Sequence, residues 1–195
     1  MPRIAAASID EHVRRQTARI TASARKIFAS KGFRQADMAD IAAEVGLARN
    51  SLYRYFSNKD YILLACIEED MMPHLAWLET LSEQFPDAQD RILAWVDAQF
   101  ALATGPSHVT MEFMAEVSSS GADLTRRVSD LHAAPNRALQ DALAELPERS
   151  AHAGLHAAMI GNMVIAATRE ALGKRKSEQA AIRQELIRVV AGLLK

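Results

Sequence analysis

Apolar residues recur every three to four positions through most of the chain, which is the spacing of an amphipathic helix. The clearest stripes past residue 60 run from Tyr61 to Leu78, from Ile92 to Ala103 and from Ile182 to Leu193. No segment keeps the strict alternation that a half-buried strand would show. The pattern therefore predicts an all-α protein of about nine helices.

Glycine and proline residues predict where these helices end. A short helix is expected over 108–117, followed by one from about Asp123 to Leu146. Pro147 suits the first turn of the next helix, which is expected to run to Leu172. Pro73 and Pro135 fall inside apolar stripes, so each predicts a kink or a break in its helix.

The stretch from Met38 to Lys59 has the pattern of two short helices joined by one glycine. Asp37 can cap the first helix, and Asp40 follows three residues later beside the free N–H groups. Met38, Ile41 and Val45 form an inner face, and Gly46 stands where a helix end often needs a left-handed residue. This arrangement is typical of a helix-turn-helix that places its second helix in the DNA major groove.

The second helix is expected to start around Ala48, with Leu52 and Phe56 on its inner side, and Ser57 to Asp60 resembles a capping box that opens another helix. The outer face of the second helix carries side chains that suit DNA, since Arg can bond guanine and Asn can bond adenine with two hydrogen bonds. Tyr hydroxyls and Lys59 suit phosphate contacts, which fix register. The candidate DNA-binding residues are Arg49, Asn50, Ser51, Tyr53, Arg54, Tyr55, Lys59 and Asp37.

Residues 9–64 resemble the DNA-binding domain of the TetR/AcrR transcriptional regulators. The residues that carry the resemblance are Ile27, Phe28, Gly32, Phe33, Met38, Asp40, Ile41, Ala42, Val45, Gly46, Leu52, Tyr53, Phe56 and Lys59. The resemblance implies a three-helix domain over 1–60, a helical regulatory domain over 61–195, and repression as the default activity. Ala36 and Ala48 stand where the family usually has hydroxyl residues, and Asn50 stands where a Gly is common.

Charge divides the chain in the same place. Residues 1–60 hold 11 Lys and Arg against 6 Asp and Glu, whereas residues 61–195 hold 12 against 18. A polyanion such as double-stranded DNA is therefore favoured at the first third only. The mean hydropathy of −0.08 indicates a soluble protein, no apolar run approaches the roughly 18 residues of a membrane span, and the start lacks a signal-peptide core. A cytoplasmic location is expected.

A second copy of the chain is the expected partner of the last two predicted helices. The sequence from residue 151 to 167 is rich in small residues and poor in charge. We expect the two helices to pair with their copies as a four-helix bundle, and the family resemblance implies the same homodimer. The alternative is burial against the chain's own preceding helices. The candidate interface residues are Gly154, Leu155, Ala158, Gly161, Ile182, Leu186, Val189 and Leu193.

The regulatory part is rich in methionine and aromatic residues, which line adaptable apolar sites but more often form an ordinary core. The resemblance implies that some of them enclose a small, mostly apolar effector of unknown identity, which would weaken binding to an inverted-repeat operator. The candidate ligand-binding residues are Met71, Trp77, Trp95, Phe100, Met111, Phe113, Met114, Met159 and Met163.

Other functional classes find less support in the sequence. His152 and His156, or His108 with Glu112, have the spacing of metal ligands on a helix, so a metal-responsive regulator is one alternative, although we assign no metal or cofactor. A non-regulatory helical DNA-binding protein is another, and the acidic balance of 61–195 counts against it. The chain has no G-x-S-x-G elbow, glycine-rich phosphate loop or H-E-x-x-H motif, so an enzyme is not expected.

Overall fold

The computed structural model describes residues 6–105 and 121–195. Within these residues the chain forms nine α-helices and no strand, which confirms the all-α fold. The helices are α1 (Ala6–Lys31), α2 (Met38–Val45), α3 (Arg49–Leu52), α4 (Lys59–Glu79), α5 (Leu81–Gln84), α6 (Ala88–Thr104), α7 (Ala122–Ala144), α8 (Ala153–Ala171) and α9 (Lys176–Leu193). A 3₁₀ turn over Ser150–His152 precedes α8.

The described residues divide into two compact units. Residues 6–69 and 121–128 belong to the first, and residues 70–105 and 129–195 belong to the second. Both α4 and α7 contribute residues to each unit. The domain boundary expected at residue 60 falls in the first turn of α4.

The first unit is built on the inner face of α1. Helix α1 packs against α2, which in turn packs against α3. Phe28 and Phe33 meet edge to face with ring centroids 5.3 Å apart. The start of α4 is buried on several sides, since Ile62, Leu63 and Leu64 are all fully buried. This explains why its sequence shows an almost continuous apolar run at this point.

Polar contacts join the start of α7 to α4 within the first unit. The Arg127 guanidinium donates to Glu68 Oε1, with the Nε–O distance 3.1 Å. The Tyr61 hydroxyl donates to Asp123 Oδ2 over 3.2 Å. Leu124 of α7 is buried beside them, at 3% exposure. The first two turns of α7 therefore belong structurally with the helix-turn-helix.

The second unit has one apolar core, formed where α6 packs against both α8 and α9. The Trp95 indole N–H donates to the Pro135 carbonyl over 2.8 Å, which satisfies the one polar atom of this buried side chain. Asp87 caps α6 by accepting from the backbone N–H groups of Gln89 and Asp90. The predicted inner face of α6 is confirmed, because Ile92, Val96 and Phe100 are buried.

Several predicted helix boundaries differ from the structure. Pro73 and Pro135 lie inside α4 and α7, and neither breaks its helix. The short helix α5 was not predicted. Helix α8 begins at Ala153 and not at Pro147, because the N–H groups of Arg149 and Ser150 both bond the Leu146 carbonyl and close a turn there. The helix expected over 108–117 lies outside the described residues.

No described helix combines the length and the apolar character that crossing a membrane requires.

Candidate nucleic-acid interface

Helix α2 is fixed at both ends by the residues that its sequence predicts. Asp37 Oδ1 accepts from the backbone N–H groups of Ala39 and Asp40, both over 2.8 Å, while Asp40 Oδ2 accepts from the Asp37 N–H. The hydrogen bond from Lys31 lowers the pKa of Asp40. At the other end Gly46 has φ +74°, a conformation that strongly favours glycine. The structure thus places Asp37 in a capping box, which gives it a structural role.

The turn after α2 presents a single helical turn, α3. The Leu47 N–H bonds the Ala42 carbonyl over 2.9 Å, which completes the end of α2. Ala48 occupies the N-cap of α3 and makes no side-chain cap. Leu52 is fully buried, and Met38, Ile41 and Val45 of α2 are also buried, as predicted. These contacts fix the orientation of α3 relative to α2.

The outer side of α3 and the residues after it carry most of the candidate DNA-binding set. Arg49, Asn50 and Arg54 are exposed, and Ser51 and Tyr55 are half-buried. Tyr53 is 42% exposed. In the described part of the chain no carboxylate pairs with Arg49 or Arg54. This face therefore offers hydrogen-bond donors and positive charge together.

Arg49 and Tyr53 form a pair on this face. The guanidinium carbon lies 5.8 Å from the centre of the Tyr53 ring, and Nη2 donates to the Tyr53 hydroxyl over 3.3 Å. An exposed arginine normally samples many rotamers, and ordering it costs free energy when it binds. The contact with Tyr53 restricts that freedom before DNA arrives.

Lys59 lies in a different environment from the one expected. Its ammonium group donates to the carbonyls of Phe33, Arg34 and Ala36 over 2.8, 3.2 and 2.9 Å, and lies 4.6 Å from the centre of the Phe33 ring. An ammonium group has three protons, and all three are used. Lys59 thus holds the loop between α1 and α2, and this geometry does not fit the phosphate contact expected from the sequence.

The helix that follows is also capped one residue later than expected. Asn58 Oδ1 accepts from the Tyr61 N–H over 3.1 Å. Asn58 is therefore the N-cap of α4, in the position that the sequence analysis gave to Ser57. The capping residues Asn and Ser are close to equivalent in preference, so the local pattern alone did not separate them.

The candidate effector residues divide into three groups. Met71, Trp95 and Phe100 are buried in the second unit, and Met163 packs against its core. Met111, Phe113 and Met114 lie outside the described residues. The other two are not in the core: Trp77 lines an open cleft, and Met159 is 52% exposed on α8. The exposure of Met159 contradicts its expected place in an internal pocket.

Apolar side chains cover the outer face of α8 and α9. We define the outer α8–α9 face by five exposed residues, which are Leu155, Met159, Ile165, Val189 and Leu193. Gly154 and Ala158 are exposed beside them, and a groove of about 570 Å³ containing Ile182 runs between the two helices. A Cβ added to Gly154 or to Gly161 would meet no atom within 4 Å. The face is therefore open to another helix.

Leu186 lines the groove between α8 and α9 and also belongs to the core. It is only 6% exposed and belongs to the core of its own unit, with Val190 and Leu194 on the same side of α9. Val189 and Leu193 lie on the same side of the helix, at its more exposed edge, where they are 40% and 46% exposed. Helix α9 thus has one broad apolar face, and only part of it is buried inside the chain.

His152 and His156 lie next to each other without a third metal-ligating side chain beside them among the described residues. The rings of His152 and His156 are perpendicular, with centroids 6.4 Å apart. No group of three or more His, Cys, Asp or Glu side chains suited to a metal occurs among residues 6–105 and 121–195. His108 and Glu112 lie outside those ranges.

Comparison with known proteins agrees with this geometry. Residues 20–66 match the model of the bacterial regulatory proteins of the tetR family. The fatty acid metabolism regulator protein of Bacillus subtilis is 23% identical over 109 residues, and this match spans 56% of each chain.

Two solved structures share the fold over nearly the whole chain. FadR from Bacillus subtilis, solved with stearoyl-CoA, has a TM-score of 0.71 and 20% identity, over 91% of this chain and 96% of its own. AibR, solved with isovaleryl coenzyme A and operator DNA, has a TM-score of 0.70 and 17% identity, over 88% and 96%. The helical arrangement is therefore common to proteins whose sequences have diverged widely.

Proposed function

Because residues 20–66 match the model of the bacterial regulatory proteins of the tetR family, we propose that the chain is a homodimeric repressor that a small, mostly apolar molecule releases from an inverted-repeat operator. The observation that carries the proposal is that Arg49 lies against Tyr53 on an exposed face, with no ion-pair partner among the described residues, directly after a capped helix and a left-handed glycine turn. The family consists of transcriptional regulators, so this role needs no catalytic site.

DNA recognition is assigned to the outer side of α3. Arg49 would bond a guanine edge, and Asn50 would bond an adenine edge or a neighbouring base. Arg54 and the hydroxyl groups of Ser51 and Tyr55 are suited to the phosphates on either side. Lys59 supports this surface from behind, because it holds the loop that leads into α2.

The outer α8–α9 face would bind its copy in a second chain. Five large apolar side chains that are 40–60% exposed are costly to leave in water, and a contiguous patch of this kind marks an interaction surface. Pairing across a two-fold axis would bury the same residues of both copies. A two-fold dimer then presents two copies of α3, so the operator should be an inverted repeat.

Acyl thioesters of coenzyme A, in which the acyl chain is apolar and the coenzyme part is larger and anionic, are the effector class to test first. Two proteins that share this fold were solved with stearoyl-CoA and with isovaleryl coenzyme A. The second unit supplies buried aromatic and methionine side chains of the kind that hold an acyl chain, among them Met71, Trp95 and Phe100. An acyl group bound among them would favour one conformation of the dimer and so change operator affinity.

The test is an operator-release assay. A labelled operator fragment, obtained by selection with the purified protein, is titrated with acyl-CoA thioesters from four to eighteen carbons and followed by fluorescence anisotropy. Release that is saturable and depends on chain length supports the proposal, and free coenzyme A is the control for the charged end. If no thioester releases the fragment while other apolar compounds do, the effector class is wrong but the repressor assignment stands.

A further inference from the structure

A surface cleft in the second unit lies outside both the effector core and the outer α8–α9 face. It has a volume of about 680 Å³ and runs between the end of α4, the start of α6 and the middle of α9. Trp77 and Phe85 supply aromatic surface, Leu93 and Ile187 supply aliphatic surface, and Asp90 and Asp97 supply carboxylates. We call this the outer cleft.

The charge of the outer cleft is negative. Both carboxylate oxygens of Asp97 accept from the Arg183 guanidinium, with the Nη2–O distance 2.5 Å, so this pair is close to neutral. Asp90 is exposed, and its carboxylate has no cationic partner among the residues that the structure describes. One uncompensated negative charge therefore stands beside the apolar wall.

Trp77 has a second aromatic ring behind it. The His74 ring stacks on the indole with centroids 5.6 Å apart and an angle of 30° between the planes. His74 is buried, and Gln99 Nε2 lies 2.8 Å from its Nε2 atom. Burial lowers the pKa of His74, so the imidazole is neutral near pH 7 and brings no positive charge next to Trp77. The half-buried indole therefore packs on His74 while it also lines the outer cleft.

The outer cleft remains open when the chain dimerises as proposed. Ile187 lines the cleft, whereas Val189 belongs to the outer α8–α9 face. Side chains two positions apart on an α-helix differ in direction by about 200° around the helix axis. A second copy seated on the outer α8–α9 face would therefore cover the opposite side of α9.

We propose that the outer cleft binds a lipophilic cation, with its apolar body against Trp77, Phe85 and Leu93 and its positive charge beside Asp90. Aromatic faces attract cations, and the attraction is stronger where water is partly excluded. An apolar wall with one charged group at its edge is the usual composition of a small-molecule site. The site is separate from the effector core and takes ligands of the opposite charge to an acyl-CoA.

Tetraphenylphosphonium is the probe that tests this directly, because tetraphenylborate has nearly the same size and shape with a negative charge. The chain has two tryptophans, and Trp95 is only 4% exposed, so quenching by a ligand in the cleft should come from Trp77. We expect saturable quenching by tetraphenylphosphonium and at least fivefold weaker binding of tetraphenylborate. Trp77→Phe should remove most of the fluorescence change.

Asp90→Asn is the decisive variant, and Asp141→Asn is its matched control, since Asp141 is an exposed acid of α7 that does not line the cleft. Asp90→Asn should weaken the binding of tetraphenylphosphonium about fivefold, because the attraction of one charge about 4 Å away in water corresponds to roughly that factor in affinity. Isothermal calorimetry measures this affinity. Asp141→Asn should leave the affinity unchanged. Equal affinity for the two tetraphenyl ions, or unchanged affinity in a folded Asp90→Asn variant, would overturn the proposal.

Discussion

The Nη2 atom of Arg49 donates to the Tyr53 hydroxyl over 3.3 Å, and the guanidinium lies against the Tyr53 ring. Because the two residues are one helical turn apart, the contact orders the arginine without help from the rest of the fold. We therefore predict a role for Tyr53 in DNA binding that does not require it to touch DNA. It limits the rotamers that Arg49 must give up on binding.

Replacing Arg49 should reduce both affinity and base preference. Arg49→Ala is expected to cost roughly 1–3 kcal/mol at the operator and to relax the preference at one base position. Arg49→Lys keeps the charge but loses the two parallel N–H donors of the guanidinium. It should therefore retain non-specific DNA binding and lose the base preference. Tyr53→Phe keeps the ring and removes the hydroxyl, and we expect it to reduce the free energy of operator binding by about 0.5–1.5 kcal/mol. Binding to operators with single base changes measures all three.

Replacing Lys59 should lower the stability of the fold and leave the number of phosphate contacts to DNA unchanged. Lys59→Met removes the donor to three carbonyls, and we expect the free energy of unfolding to fall by about 1–3 kcal/mol. Urea denaturation measures this, with Lys26→Met as the control, because Lys26 makes only an exposed ion pair with Glu44.

The salt dependence of operator binding separates the two roles of Lys59. Each phosphate contact that is lost lowers the slope of log K against log salt by about 0.9. We expect Lys59→Met to leave that slope unchanged. A slope reduced by one contact, together with unchanged stability, would restore the phosphate assignment.

His74 should make the stability of the chain depend on pH. The unfolded chain takes up a proton at this residue below about pH 6.5, whereas burial lowers the pKa of the folded His74 and keeps it neutral to lower pH. Below this pH the unfolded state binds more protons than the folded state. The free energy of unfolding is therefore highest above pH 6.5 and falls as the pH drops. His74→Gln should flatten this fall between pH 7.5 and 5.5, and His12→Gln, on an exposed turn of α1, should not.

The outer α8–α9 face should control the oligomeric state. Met159→Glu places a charge in the middle of the proposed interface, where it would be buried without a partner. Sedimentation at micromolar concentration should then show a monomer, with much weaker operator binding. Met72→Glu is the matched control, because Met72 is also a methionine, is 61% exposed and lies on α4. A wild-type monomer, or a Met159→Glu dimer, would contradict the proposed interface.

Local sequence predicted the parts of the fold that local forces determine. The Asp37 cap, the Gly46 turn and the inner face of α2 all involve residues within one helix, and the structure confirms them. The all-α fold followed from periodic apolar residues, and the match of residues 20–66 to the tetR family model agrees with the fixed spacing of the motif residues. Each of these signals is contained in a window of about a dozen residues or repeated along the chain.

Features that depend on distant contacts were not predictable in this way. The carbonyls that Lys59 bonds belong to a loop more than twenty residues earlier, and no local pattern points to them. Met159 is 52% exposed and not internal as predicted, because α8 carries apolar residues on its outer side as well as on its core side. Periodicity shows which positions of a helix are apolar, but packing against α6 decides which of them are internal.

The central claim is that two copies of α3 read an inverted repeat, and selection of DNA fragments by the purified protein, followed by footprinting, tests it most directly. We expect one symmetric protected site with half-sites about one helical turn apart or slightly more, lost in Arg49→Ala and retained in Lys26→Met. Binding without sequence preference, or protection of a single half-site by a monomer, would contradict the account.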